Sequence, residues 1–135
     1  MTDRDDGVGT RIWFERYIDA FNASDFAGFG GYYADDVRFF GQAGSFEGAA
    51  AVLAFYRTVK ARASETLELL TFVGTADHVA AEIRTTLAAR EDWPDMPTGA
   101  MAKGDTRQSV NFIFYDIVEG RFARVRSARF ARGQG

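Results

Sequence analysis

The chain reads as an α+β domain with its helices on one face of a curved sheet. Two patterns carry that reading. Before about residue 62, apolar residues recur three and four positions apart, the helical period. From Glu65 onward, runs rich in β-branched and aromatic residues follow one another across short turns. Size adds a third constraint. At 135 residues, 47% hydrophobic and with 13 Phe, the chain can fill one core or line an apolar cavity but cannot build two domains.

Each element has a local reason. The acidic start MTDRDDGVGT places a mobile tail over residues 1–9 and a single domain over 10–131. Thr10 is the N-cap of a first helix, whose stripe is Trp13, Phe14, Tyr17, Ile18, Ala20 and Phe21. Ser24 or Asp25 caps a second short helix running to about Ala34, and VRFFG supplies a short strand. Gly48 precedes a third helix, in which Val52, Phe55, Tyr56 and Val59 keep helical spacing. Four strands follow: ETLELLTFVG, HVAAEIRTTLAAR, TRQSVNFIFYDIV and RFARVRSARF, the last two joined by a two-residue turn at Glu119-Gly120. Residues 90–105 carry both prolines and form a long loop, a candidate lid. ARGQG at 131–135 is a frayed end.

Composition excludes several functions. A net charge of −3 gives no electrostatic reason to bind nucleic acid or an anionic membrane. No apolar run approaches the roughly 18–20 residues that span a bilayer, and the start is unlike a signal peptide. With no cysteine, disulfides and thiolate chemistry are out, and a cytoplasmic location fits. No Walker loop, dinucleotide fingerprint, HExxH or cluster of His and acids at metal spacing is present, so neither metal nor cofactor is expected. GFGGYY lies in the expected second helix rather than between strand and helix, which argues against phosphate binding.

RYIDAFNASD followed by YYADDVRFF, a glycine before GAAAVLAFY, and a hairpin ending VEGRFARVRS are similar to the nuclear transport factor 2-like superfamily, in its SnoaL-like and ketosteroid isomerase-like branch. The resemblance runs from Arg16 to about Phe130. It implies a cone-shaped, strongly curved, mostly antiparallel sheet closed by three helices around an apolar pocket, and a homodimer through the outer sheet face. It does not fix a reaction, because the same cone hosts isomerases, dehydratases, epoxide hydrolases, cyclases and non-catalytic modules.

In ketosteroid isomerases a tyrosine and a protonated aspartate hold the substrate oxygen while a second aspartate moves the proton. The resemblance places Tyr17 at the tyrosine and Asn111 at the acid partner, as oxyanion donors, with Tyr33 and Tyr56 as further phenols near the first. Phe55, Ile83, Thr85, Val125 and Ser127 are the other expected ligand-lining residues. The proton-shuttling position falls on Gly41, which cannot do that work, and a one-residue slip offers only Gln42. The positions of epoxide hydrolase acids fall on Ile83, Thr85 and Ser127. His78, the one histidine, sits in a polar turn. Asp35 and Asp36 are expected to shape the bend after the second helix rather than to act as a catalytic pair. Glu82 and Arg84 are expected on the outer face as an ion pair or dimer contact, as are Arg124 and Arg126. Arg129 could meet an anionic ligand near the mouth, and Asp92 or Asp95 on the long loop could supply an acid if that loop closes. Two alternatives stand open: a small hydrophobic carbonyl- or phenol-bearing ligand undergoing isomerase-, dehydratase- or cyclase-type proton transfer, or a non-catalytic binding or dimerisation module. The sequence contains no inward carboxylate at the family's positions, so it leaves enzyme status undecided.

Overall fold

The computed structural model describes residues 6–132. Helix α1 (Arg11–Asn22) starts where the Thr10 hydroxyl accepts a hydrogen bond from the Trp13 N–H at 3.2 Å, and it buries Phe14, Tyr17, Ile18 and Phe21. Helix α2 (Phe26–Gly30) is capped by the Asp25 carboxylate, which accepts from the Gly28 N–H at 3.0 Å. It stops well before Ala34. Gly28, Gly30 and Gly31 weaken helix propensity there, and Tyr33 is drawn into strand pairing opposite Phe122. Strand β1 (Tyr33–Gly41) therefore begins earlier than the sequence indicates, and a short β2 (Gly44–Glu47) folds back on it across Gln42 and Ala43. Helix α3 (Ala49–Arg62) follows Gly48, whose φ of 90° favours glycine.

The remaining strands are β3 (Ala63–Gly74), β4 (His78–Ala89), β5 (Thr106–Val118) and β6 (Arg121–Arg132). The sheet order is β2-β1-β6-β5-β4-β3, antiparallel throughout except for the parallel β1–β6 pair. The mostly antiparallel α+β fold expected from sequence is thus a mixed six-stranded sheet with one parallel junction. Register shifts within β1–β6, β3–β4 and β5–β6 bend it. The Glu119-Gly120 hairpin turn has positive φ at both residues.

Asp35 and Asp36 lie inside β1, at its irregular stretch, and are exposed. They face solvent rather than cap backbone N–H groups after a helix, and Asp35 lies 4.0 Å from Arg121. Glu82 and Arg84 do point outward but not to each other. Glu82 accepts from Thr71, and Arg84 pairs with Glu68 at 2.6 Å. Arg124 and Arg126 share Asp116, which His78 also contacts.

Phe122 is fully buried among the rings of Trp13, Phe14, Tyr17, Tyr32, Tyr33 and Tyr115, with centroids 4.6–6.4 Å away. A second cluster unites Val59, Ala63 and Ala89 with Trp93, Met96 and Met101, so the segment 90–105 is folded against the domain. Trp93 and Met101 pair as an isolated bridge, and Arg107 donates to the carbonyls of Gly99 and Ala100. Of the expected tail, Gly9 is buried against Thr75, where a Cβ would stand 1.9 Å from a carbonyl oxygen. Residues 1–5 and 133–135 lie outside the described residues. No helix of the described chain is long and apolar enough to cross a membrane.

Truncating Phe122 removes the ring that joins α1 to β1, β5 and β6. Phe122→Ala should cost about 3–5 kcal/mol. Urea unfolding checks this as a lower midpoint, and a loss below 1 kcal/mol would show that the cluster closes over the gap.

Candidate functional site

Because β-strand side chains alternate, one parity of β3–β6 faces the helices: Glu65 and Leu67, Thr85 and Leu87, Ser109, Asn111, Ile113 and Tyr115, then Val125 and Ser127. Across from them stand Tyr17 of α1 and Phe55, Tyr56 and Val59 of α3. Between the two layers lies a cavity of about 150 Å³. The β1–β2 turn, Met96 and Thr98 of the long loop, Arg107 and Arg129 complete its wall.

Of the residues expected to bind ligand, Tyr17, Phe55, Tyr56, Thr85, Asn111, Val125 and Ser127 line this space. Two do not. Ile83 is fully buried in the adjoining core, and Tyr33 stands behind Tyr17, sharing a hydrogen bond of 2.6 Å between the two phenol oxygens. Gly41 lines the wall as well, and a Cβ there would sit 2.8 Å from the Phe39 ring. Asp92 and Asp95 lie elsewhere: Asp92 accepts from the Lys103 N–H, and Asp95 approaches Arg62.

Among the wall residues that the sequence reading missed, two bear most on proton chemistry. Tyr115 shares the parity of Asn111, and its hydroxyl makes no hydrogen bond among the described residues. Glu65 is the inward carboxylate that the family positions lack. Its signal was present in ETLELL, where Glu65 alternates in phase with Leu67 and Leu69. Its Oε1 is buried and without a hydrogen-bond partner, as is Oδ1 of Asn111, a residue only 7% exposed. Lys60 is the nearest countercharge, yet its ammonium donates to the backbone carbonyls of Phe21 (2.7 Å) and Glu65 (3.2 Å) and not to the carboxylate.

Burial sets the electrostatics. Removal from water disfavours the ionised form, and the nearby Lys60 charge offsets this in part, leaving the Glu65 carboxyl pushed up to about 7. Burial also raises Tyr17, Tyr56 and Tyr115 above ordinary phenol values, and the Glu65 charge adds to the effect at Tyr17 and Tyr56. Tyr33 is raised by burial and then by its phenol neighbours. All four phenols are therefore neutral near pH 7, fit to donate hydrogen bonds. Burial lowers Lys60, against the pull of Glu65.

The SnoaL-like domain family model matches residues 14–125. The chain belongs to that family. No curated protein matches the sequence. Solved structures similar to this SnoaL-like chain include a provisionally named polyketide cyclase from Xanthomonas campestris, 23% identical over 84% of each chain with a TM-score of 0.73. An LEH-like epoxide hydrolase from M. tuberculosis is 14% identical over 87% of this chain and 79% of that one, with a TM-score of 0.68. A provisionally named ketosteroid isomerase from Kribbella flavida is 18% identical over 93% and 80%, with a TM-score of 0.63. At these identities the likeness is one of fold.

The raised carboxyl gives this SnoaL-like domain a pH signature. Glu65 holds its proton more tightly when folded than when unfolded, near 4.5. The stability it confers is full below the unfolded value and is lost as pH rises through about 7. Glu65→Gln cannot ionise, so it should match the wild type near pH ~4.5 and exceed it at pH ~8 by up to about 3 kcal/mol. Denaturant melts at the two pH values check this. A variant less stable at pH ~8 would show that the carboxylate is well solvated or paired.

Proposed function

We propose that the cavity binds a small, mostly apolar molecule through a carbonyl or phenol oxygen and performs proton-transfer chemistry on it, of the isomerase, dehydratase or cyclase kind. The observation that carries this is the Asn111 amide, buried in the wall with no partner for its oxygen and no hydrogen bond of any kind among the described residues. A polar group left unpaired in a protein interior costs about 1–3 kcal/mol, which a ligand recovers by donating a phenol O–H to that oxygen, while a ligand carbonyl would accept from the amide NH₂ instead. Tyr17 faces the same space. Either phenol can donate in the bond that Tyr17 and Tyr33 share; when Tyr33 does, the Tyr17 O–H is left to donate to a ligand oxygen, and the phenol pair strengthens that donation as charge builds on the oxygen.

Size narrows the ligand. An apolar cavity of about 150 Å³ holds a molecule such as benzene, so the space accepts about one ring. Cyclases, an epoxide hydrolase and an isomerase among the structural neighbours are consistent with such chemistry. The glycine at 41 favours the second reading, a non-catalytic binding module in which the same donors hold a ligand without turnover.

A homodimer belongs to the proposal. The outer sheet face exposes Val73, Phe112, Phe114, Val118 and Phe130, of which Phe112 and Phe114 border a broad apolar hollow. A second copy seated on it by a twofold axis would cover these side chains. Phe112→Glu should then sediment as monomer where the wild type sediments as dimer, and a monomeric wild type would remove the dimer.

Tyr17→Phe should weaken binding of phenol or a small cyclic enone by about 1–3 kcal/mol with the fold intact. Titration calorimetry on both proteins checks it. Equal affinities would take Tyr17 out of the site, and no binding of either ligand class would sink the ligand reading.

A further inference from the structure

Proton-transfer chemistry of the kind proposed above needs a group that accepts and returns a proton near neutral pH, and few wall residues can. The phenols of Tyr17, Tyr56 and Tyr115 are neutral donors. Asn111, Ser109, Ser127 and Thr85 carry no ionisable group of use near neutral pH, and a guanidinium offers only hydrogen-bond donors. Glu65 is what is left. We infer, on the strength of that functional reading, that Glu65 is the proton carrier of this cavity, working from the start of β3 where Gly41 at the end of β1 cannot.

Several features set this carboxyl apart from a structural one. Buried carboxylates that serve structure are paired or hydrogen-bonded, yet neither oxygen of Glu65 receives a hydrogen bond among the described residues, and Oε1 is wholly buried. Lys60, on α3, could neutralise it directly but spends its ammonium on two backbone carbonyls. The titratable groups that share the cavity with Glu65 are Tyr17 from α1, Tyr56 from α3, Arg107 and Tyr115 from β5, and Arg129 from β6, with Lys60 beneath. The long loop contributes Met96 and Thr98, which carry no charge. Arg107 is turned to the loop carbonyls of Gly99 and Ala100. The carboxyl is thus close enough to Tyr17 and Tyr56 for its charge to act on both, and it is unengaged.

The step balances within the site. The Glu65 carboxylate takes a proton from a carbon beside the ligand carbonyl; the C–H electron pair becomes a C=C bond, and the carbonyl π pair moves onto the oxygen, giving an enolate held by the Tyr17 O–H. Protonated Glu65 then returns the proton to a carbon of the enolate, and the carbonyl and carboxylate are both restored. The substrate class is a ketone or enone about one ring in size, with an acidic C–H next to its carbonyl.

Cyclohexanone in D₂O tests this without the natural substrate. Wild-type protein should exchange the α-hydrogens faster than buffer, followed by NMR, with a rate that rises with pH through about 7. Glu65→Gln should lose about 100-fold or more of that rate. Glu65→Asp should keep part of it. Equal exchange in wild type and Glu65→Gln overturns the assignment. So does wild-type exchange no faster than buffer when phenol still binds in a Tyr17-dependent way, and in that case the ligand reading survives. Loss of phenol binding and exchange together in the wild type overturns both.

Discussion

The bond of 2.6 Å between the Tyr17 and Tyr33 phenols joins the first helix to the first strand at a depth that water does not reach. Two buried hydroxyls left apart would each lose a hydrogen bond to solvent, so the pair holds α1 at one depth over the sheet. Phe122 and Tyr115 pack around it from β6 and β5, which makes this part of the fold aromatic and rigid. The cavity is walled differently: Glu65, Thr85, Ser109, Asn111 and Ser127, polar side chains of the inward parity, border open space.

That division explains how buried polar groups persist beside a well-packed core. Asn111 and Glu65 border the cavity, and each carries an unpaired buried oxygen. Replacing them with apolar residues would remove a desolvation penalty, so their presence works against stability. The Lys60 ammonium tempers the cost at Glu65 through its charge without forming the direct pair that would quench the carboxyl. A penalty held at one concave place, with a neutral phenol donor beside it, is the pattern of a site that gains on binding.

Much of the fold was legible because it is local. Thr10, Asp25 and Gly48 marked helix starts by their own backbone chemistry, and alternation marked β3 to β6. Errors arose where non-local pairing decided. The glycines at 28, 30 and 31 look like a weak helix continuing to Ala34, but Tyr33 gains more as a strand residue opposite Phe122, an interaction across the whole chain. The parallel β1–β6 junction and the four-residue β2 leave no local trace either. In the site, family positions led to Tyr17 and Asn111, both on the wall, and also to Tyr33 and Ile83, which are not. Parity would have been the better guide to Glu65, since ETLELL places it in phase with Leu67. Searching for an acid only where relatives keep one hid it.

Gly41 and Glu65 can be understood together. A side chain at 41 meets the Phe39 ring at 2.8 Å, and that ring leans on Phe46 and Tyr56, 6.2 and 6.1 Å away. An aspartate at the end of β1 would therefore have to displace an aromatic wall that also positions Tyr56. With the glycine, Phe39 fills the region a β1 acid would occupy, and that side of the cavity becomes apolar. An acid can then enter only from another strand, and Glu65 arrives from β3, beside Leu67 and Leu87. In the proposed reading Tyr17 and Asn111 keep the places that the resemblance gives them while the carboxyl changes strand, so the ligand would present a different edge to Glu65.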